Sequence, residues 1–127
     1  MSIQLPKTLT GIGSVLLVIT ALFHISAITQ VTKIANAEDI DPFVKMFIEP
    51  LWVFPTMTWL ITAILAMFLV VKPGSRSTVF LSLLSLIPLS NAGVLFLYTG
   101  PFIGGFMLLA SGIFILLGAL TARAKAL

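Results

Sequence analysis

The stretch LTGIGSVLLVITALFHISAITQV, Leu9–Val31, runs for 23 residues without an acid, a lysine or an arginine. A hydrocarbon core of ~30 Å is crossed by ~20 apolar residues rising ~1.5 Å each, so this run predicts a membrane-spanning helix. It also places His24, the one histidine of the chain, deep within the apolar slab. Ionisable side chains at such depth are costly and face a bundle interior rather than lipid. Gly13, Thr20, His24 and Ala27 recur at helical spacing on one face, which is expected to pack on a partner helix, while Val15, Leu22 and Phe23 look elsewhere. The triplet Ala35-Asn36-Ala37 has the small-residue pattern of a signal-peptide cleavage site. The apolar run before it exceeds the ~7–15 residues of a signal core, so it is expected to stay as an anchor.

Composition extends this to the whole chain. Of 127 residues, 59% are hydrophobic and 9% charged, and the mean hydropathy is +1.19. A soluble domain is only ~45–50% apolar, so an integral membrane protein is expected. The lack of cysteine removes disulfides, iron–sulfur clusters and thiolate zinc sites. The net charge of +3 is scattered without a basic cluster, which suits membrane orientation and not nucleic-acid binding.

Three more apolar segments follow, giving spans near 9–31, 51–71, 78–98 and 102–122. The expected fold is therefore all-α, a single four-helix transmembrane bundle running up-down-up-down. Between the first two spans, Thr32–Glu49 reads as the one sizeable loop and contains all four acids, Glu38, Asp39, Asp41 and Glu49. Asp41-Pro42 looks like an N-cap and first helical residue, and Pro50 like a terminator, so Pro42–Glu49 is expected to form a short interfacial helix. Its apolar part, Phe43–Ile48, would serve as a lid over the bundle. The acids lack metal-ligand spacing, so no metal site is expected.

The second span aligns Trp52, Thr56, Trp59, Ala63 and Ala66 on one stripe, with Trp52 in the interfacial belt and Trp59 deep enough to need a partner for its indole N–H. In the third, Pro88 frees the carbonyl of Leu84, which Ser85 or a side chain from another helix is expected to satisfy. The minimal turn Thr99-Gly100-Pro101 sets the fourth span beside the third. There Gly104/Gly105, Ser111/Gly112 and Gly118/Ala119 recur every seven residues. Small residues so spaced allow close helix packing, and the Gly104/Ser111/Gly112/Gly118 face is expected to receive a second copy or a partner membrane subunit. Lys7, Lys72/Arg76 and Arg123/Lys125 share one side, which predicts cytoplasmic termini, in keeping with a bacterial inner membrane.

Counting depth along each span brings His24, Thr56, Trp59 and Asn91 within ~5–13 Å of the outer boundary, with Trp52 and Tyr98 just above them. These six residues form the candidate ligand-binding set. One reading makes them a polar pocket for a small lipid-soluble molecule, or the stabilising core of an accessory subunit. An enzymatic reading, isomerase or oxidoreductase, uses His24 as proton shuttle or single haem ligand, Asn91 as orienter and Tyr98 as acid; a low-spin haem would want a second ligand, for which Met46, Met57 and Met107 are the candidates. A third makes the chain an oligomeric channel or transporter. No span carries an acid, so such a channel would not couple to protons, and the glutamate that small multidrug exporters carry in their first helix is missing.

Overall fold

The computed structural model describes residues 4–71 and 75–123. Lys72 and Lys125, which entered the charge argument, lie outside them. The chain forms α1 (Gln4–Ser26), α2 (Ile28–Ala37), α3 (Pro42–Val71), α4 (Ser75–Thr99) and α5 (Ile103–Arg123), with no strand among the described residues. Four segments are long and apolar enough to cross a membrane: Gln4–Ala37, Pro42–Val71, Ser77–Thr99 and Ile103–Arg123. Large apolar side chains cover their outer faces, Phe54 at 73% exposure and Ile64 at 66% among them. A surface of that kind has no place in water, and it fits an integral membrane protein.

The first loop differs from expectation. Thr32–Glu49 is mostly helical, because α2 continues α1 past a single interruption at Ala27 and α3 starts already at Pro42. Asp41 does open that helix, accepting a bond from the Phe43 N–H at 2.8 Å through Oδ1. Pro50, however, does not end it, and Pro42–Glu49 forms the first two turns of α3 instead of a separate helix. A proline deletes one backbone donor, and a helix of 30 residues keeps enough other bonds to run through both Pro50 and Pro55. At ~1.5 Å per residue α3 is about 45 Å long, well beyond a ~30 Å core. Its first turns and α2 therefore project together as an acid-bearing hairpin, in which Thr32 Oγ1 donates to Glu49 Oε1 at 3.0 Å.

The four spans neighbour one another in chain order. Helix α1 packs on α5 and α3, and α4 packs on the same two, so the circuit runs α1, α3, α4, α5. Leu17, Ala21, Trp59, Ala63, Ala66, Leu81, Ala92, Leu108, Ile115 and Ala119 fill the centre. The predicted inner face of the first span is confirmed by burial, with Gly13 and Thr20 inside and Val15, Leu22 and Phe23 exposed.

The small-residue stripe of α5 is occupied within the chain. A side-chain carbon at Gly112 would meet Leu89 Cγ at 2.5 Å and the Ser85 carbonyl at 3.1 Å, and one at Gly118 would strike the Thr10 hydroxyl and the Pro6 carbonyl. Ser111 is fully buried as well. Helices α1 and α4 thus consume Ser111, Gly112 and Gly118, and this face is not free for a second subunit. Of the donors expected to serve the carbonyl freed by Pro88, Ser85 is spent elsewhere. Ser85 Oγ donates to the Ser82 carbonyl at 2.6 Å rather than serving Leu84, and α4 continues through the proline. The last turn of α4 closes with Gly100 at φ +74°, the left-handed conformation glycine adopts freely, its N–H on the Phe96 carbonyl at 3.2 Å.

Candidate functional site

His24 sits in the last turn of α1, three residues before the interruption at Ala27. The cause of that interruption is legible in the bonds around it. Trp52, reaching across from α3, donates its indole Nε1–H to the His24 carbonyl at 2.7 Å. That same carbonyl accepts a short-range bond from the Ala27 N–H at 3.3 Å. A side chain inserted into the helical ladder is a recognised origin of such breaks, and no proline is needed here. Trp52 is consequently a bonded member of the site and not only a belt residue.

The imidazole is held on three sides. Its ring stacks on the Trp52 indole, with centroids 4.2 Å apart and planes 10° from parallel. Trp59 meets it edge-on, 5.0 Å between centroids at 69°. Nδ1 lies 2.9 Å from Thr56 Oγ1, which is itself 3.3 Å from the carbonyl of Trp52 one turn earlier. Spacing of 52, 56 and 59 along α3 delivers all three partners to one face. The predicted partner for the Trp59 indole does not materialise: the ring is 3% exposed, and its Nε1 is buried without an acceptor.

Beside this cluster lies a cavity of about 620 Å³ bounded by four helices. Helix α1 contributes Thr20, Phe23 and His24, with Ala27 just after it, and α3 contributes Trp52, Pro55 and Trp59. Across from them stand Asn91, Val94, Leu95 and Thr99 of α4, and Ile103, Gly104 and Leu108 of α5 with Phe102 before it. Four of the six predicted residues therefore line one cavity, and Thr56 stands behind His24 as its bonding partner. Tyr98 does not belong: although it stands two helical turns after Asn91 on the same side of α4, it is 86% exposed and absent from the wall. The expected lid fails similarly. No residue of Phe43–Ile48 lines the cavity, because those residues sit on the turns of α3 that project past it.

Several wall residues were missed by depth counting yet follow from helical periodicity. Thr20 precedes His24 by one turn, Ala27 follows it by three residues, and Leu95 and Thr99 repeat the Asn91 position at intervals of four. Phe102–Gly104 lies at the turn after α4 and had no signal apart from proximity. The methionine-assisted haem geometry finds no support, for Met46, Met57 and Met107 are all outside the wall. Comparison with protein-family models, with curated proteins and with solved structures finds no match to this chain.

Proposed function

We propose that this chain is a four-helix, up-down-up-down protein of a bacterial inner membrane, with both termini cytoplasmic, whose outer-half cavity binds a small lipid-soluble molecule. The antiparallel arrangement is supported by register: Thr10 meets Gly118 and Gly13 meets Ser111 and Ile115, while Ser85 and Leu89 meet Gly112 and Phe96 meets Gly105. The orientation rests on Lys7 and Arg123 at one end of the bundle and the acidic hairpin at the other.

The cavity carries the functional reading. Packed interiors leave few voids larger than a water molecule, and ligand sites run to roughly 300–1,000 Å³. The cavity is open at one side rather than sealed, so in a bilayer it takes up either a lipid tail or a ligand. A lipid tail would fill it among apolar side chains alone. The presence of an oriented imidazole and an amide in the wall favours a molecule that is mostly apolar with one polar group.

Native mass spectrometry of the chain extracted from its own membrane tests this. An adduct of small-molecule mass is expected, kept in Tyr98→Phe and lost in Val94→Trp, which fills the cavity from α4. A bare chain mass, together with unchanged tryptophan fluorescence on adding 4-octylphenol to the protein in lipid nanodiscs, would refute the proposal.

A further inference from the structure

Resting on that reading of the cavity, we infer that its ligand is a neutral hydrogen-bond donor, an alcohol or phenol, whose O–H is received by Nε2 of His24. The inference comes from following each polar hydrogen of the wall to its destination. Thr20 Oγ1 donates to the Leu16 carbonyl at 2.7 Å, and Thr99 Oγ1 to the Leu95 carbonyl at 2.7 Å. Trp52 Nε1 is spent on the His24 carbonyl at 2.7 Å, and one Asn91 Nδ2 hydrogen on the Ile87 carbonyl at 2.8 Å. Trp59 keeps its hydrogen but buries it out of a ligand's reach. What the wall offers is mainly lone pairs.

The histidine's tautomer follows from Thr56. Its hydroxyl lies 3.3 Å from the Trp52 carbonyl and 2.9 Å from His24 Nδ1, and it owns a single hydrogen. In a helix that hydrogen goes to the carbonyl one turn earlier, as it does at Thr58 and Thr62 on the same helix. Thr56 is then an acceptor towards Nδ1, so Nδ1 carries the imidazole hydrogen and Nε2 keeps its lone pair. A ketone, quinone or ester, which can only accept, finds no partner at that nitrogen. A cation is disfavoured for a different reason: no carboxylate lines the cavity to pair with it.

Two measurements on the full chain in lipid nanodiscs test this. With only one histidine, the ring ¹⁵N signals report one tautomer, expected to be Nδ1-protonated in the wild type and redistributed in Thr56→Val. A dominant Nε2-protonated form would overturn the inference without touching the cavity proposal. In parallel, 4-octylphenol and 4-octylanisole, which differ by the donor hydrogen, are titrated at equal bilayer mole fraction while the fluorescence of Trp52 and Trp59 is followed. The phenol is expected to bind about five- to tenfold more tightly, an advantage that disappears in His24→Phe. Equal binding, or tighter binding of the anisole, overturns the ligand class and leaves the cavity reading standing. Failure of both probes to bind removes the cavity reading and this inference together.

Discussion

Replacing Trp52 with phenylalanine keeps a flat ring against His24 and deletes one hydrogen, the one donated to the His24 carbonyl at 2.7 Å. Hydrogen bonds between membrane helices contribute about 0.6 kcal/mol on average and up to ~1.7, so a loss of roughly 1 kcal/mol is expected. Trp52→Ala also removes the stack at 4.2 Å, adding ~0.5–1.5 kcal/mol, for a total near 1–3 kcal/mol. No hydrophobic term is added, because lipid wets whatever the indole vacates. The two contributions can be separated, since the hydrogen bond goes to backbone and the stack to side chain. His24→Ala leaves the carbonyl in place, so the coupling between His24→Ala and Trp52→Ala isolates the stack and should be about 0.5–1.5 kcal/mol. Reversible unfolding in bicelles by sodium dodecyl sulfate titration, followed by far-ultraviolet circular dichroism, supplies all four corners of the cycle. A Trp52→Phe variant as stable as the wild type would show that the indole N–H does not hold the break at Ala27. A coupling of zero would show that the stacked rings contribute nothing.

Gly13→Ala should destabilise by about 1–3 kcal/mol, because the new carbon would lie 2.8 Å from the Ser111 carbonyl oxygen and 3.0 Å from the Ile115 nitrogen, backbone atoms that cannot rotate away. Gly11→Ala on the same helix meets nothing within 4 Å and should be neutral or stabilising by up to ~1 kcal/mol, which the same titration resolves. Thr10→Val exchanges a fully buried hydroxyl with no partner for a methyl group of similar shape, and a thermal melt in detergent should show unchanged or raised stability, by about 1 kcal/mol. If Nε2 of His24 receives an alcohol or phenol, the purified protein should have no Soret absorbance. A Soret band abolished by His24→Ala would instead place haem at the site.

The spans were legible because a bilayer leaves so few alternatives: runs such as Leu9–Val31 and Phe102–Ala122 can only be helices in hydrocarbon. Burial faces were legible from spacing, as with Gly13, Thr20, His24 on α1 and Thr56, Trp59, Ala63 on α3. Proline was read too strongly as a terminator at Pro50, where the helix had enough remaining bonds to continue. The α5 stripe was correctly read as a packing surface and wrongly assigned to a partner outside the chain, since sequence spacing shows that a groove exists but not which helix fills it. Depth counting named His24, Trp52, Trp59 and Asn91, which share one cavity wall, but depth and helical spacing alike also admit Tyr98, seven residues after Asn91, which stands exposed outside that wall. The bond from Trp52 to the His24 carbonyl had no sequence signal, because a backbone acceptor exists at every position and only the fold selects one.

The place of the cavity follows from the sizes of the residues at each helix contact. Where α5 meets α1 and α4, Gly13, Gly112 and Gly118 bring backbone against backbone or against short side chains, and no volume is left between helices. At the His24 end, α1 meets α3 through an imidazole, two indoles and a threonine locked by bonds at 2.7 and 2.9 Å, while α3 meets α4 more sparsely than any other neighbouring pair of spans. The α4–α5 pair stays closed at that end, with Phe96 lying on Gly105. The α3–α4 side of the bundle is therefore the loosest, and four helices with unequal contacts cannot all converge on a common axis. The space that remains opens between α1 and α3 on one side and α4 and α5 on the other, with the imidazole set in its wall. His24 and Trp52 supply both bulk and polar groups to that wall, so replacing them together by alanine should alter both the cavity's shape and its hydrogen-bonding character.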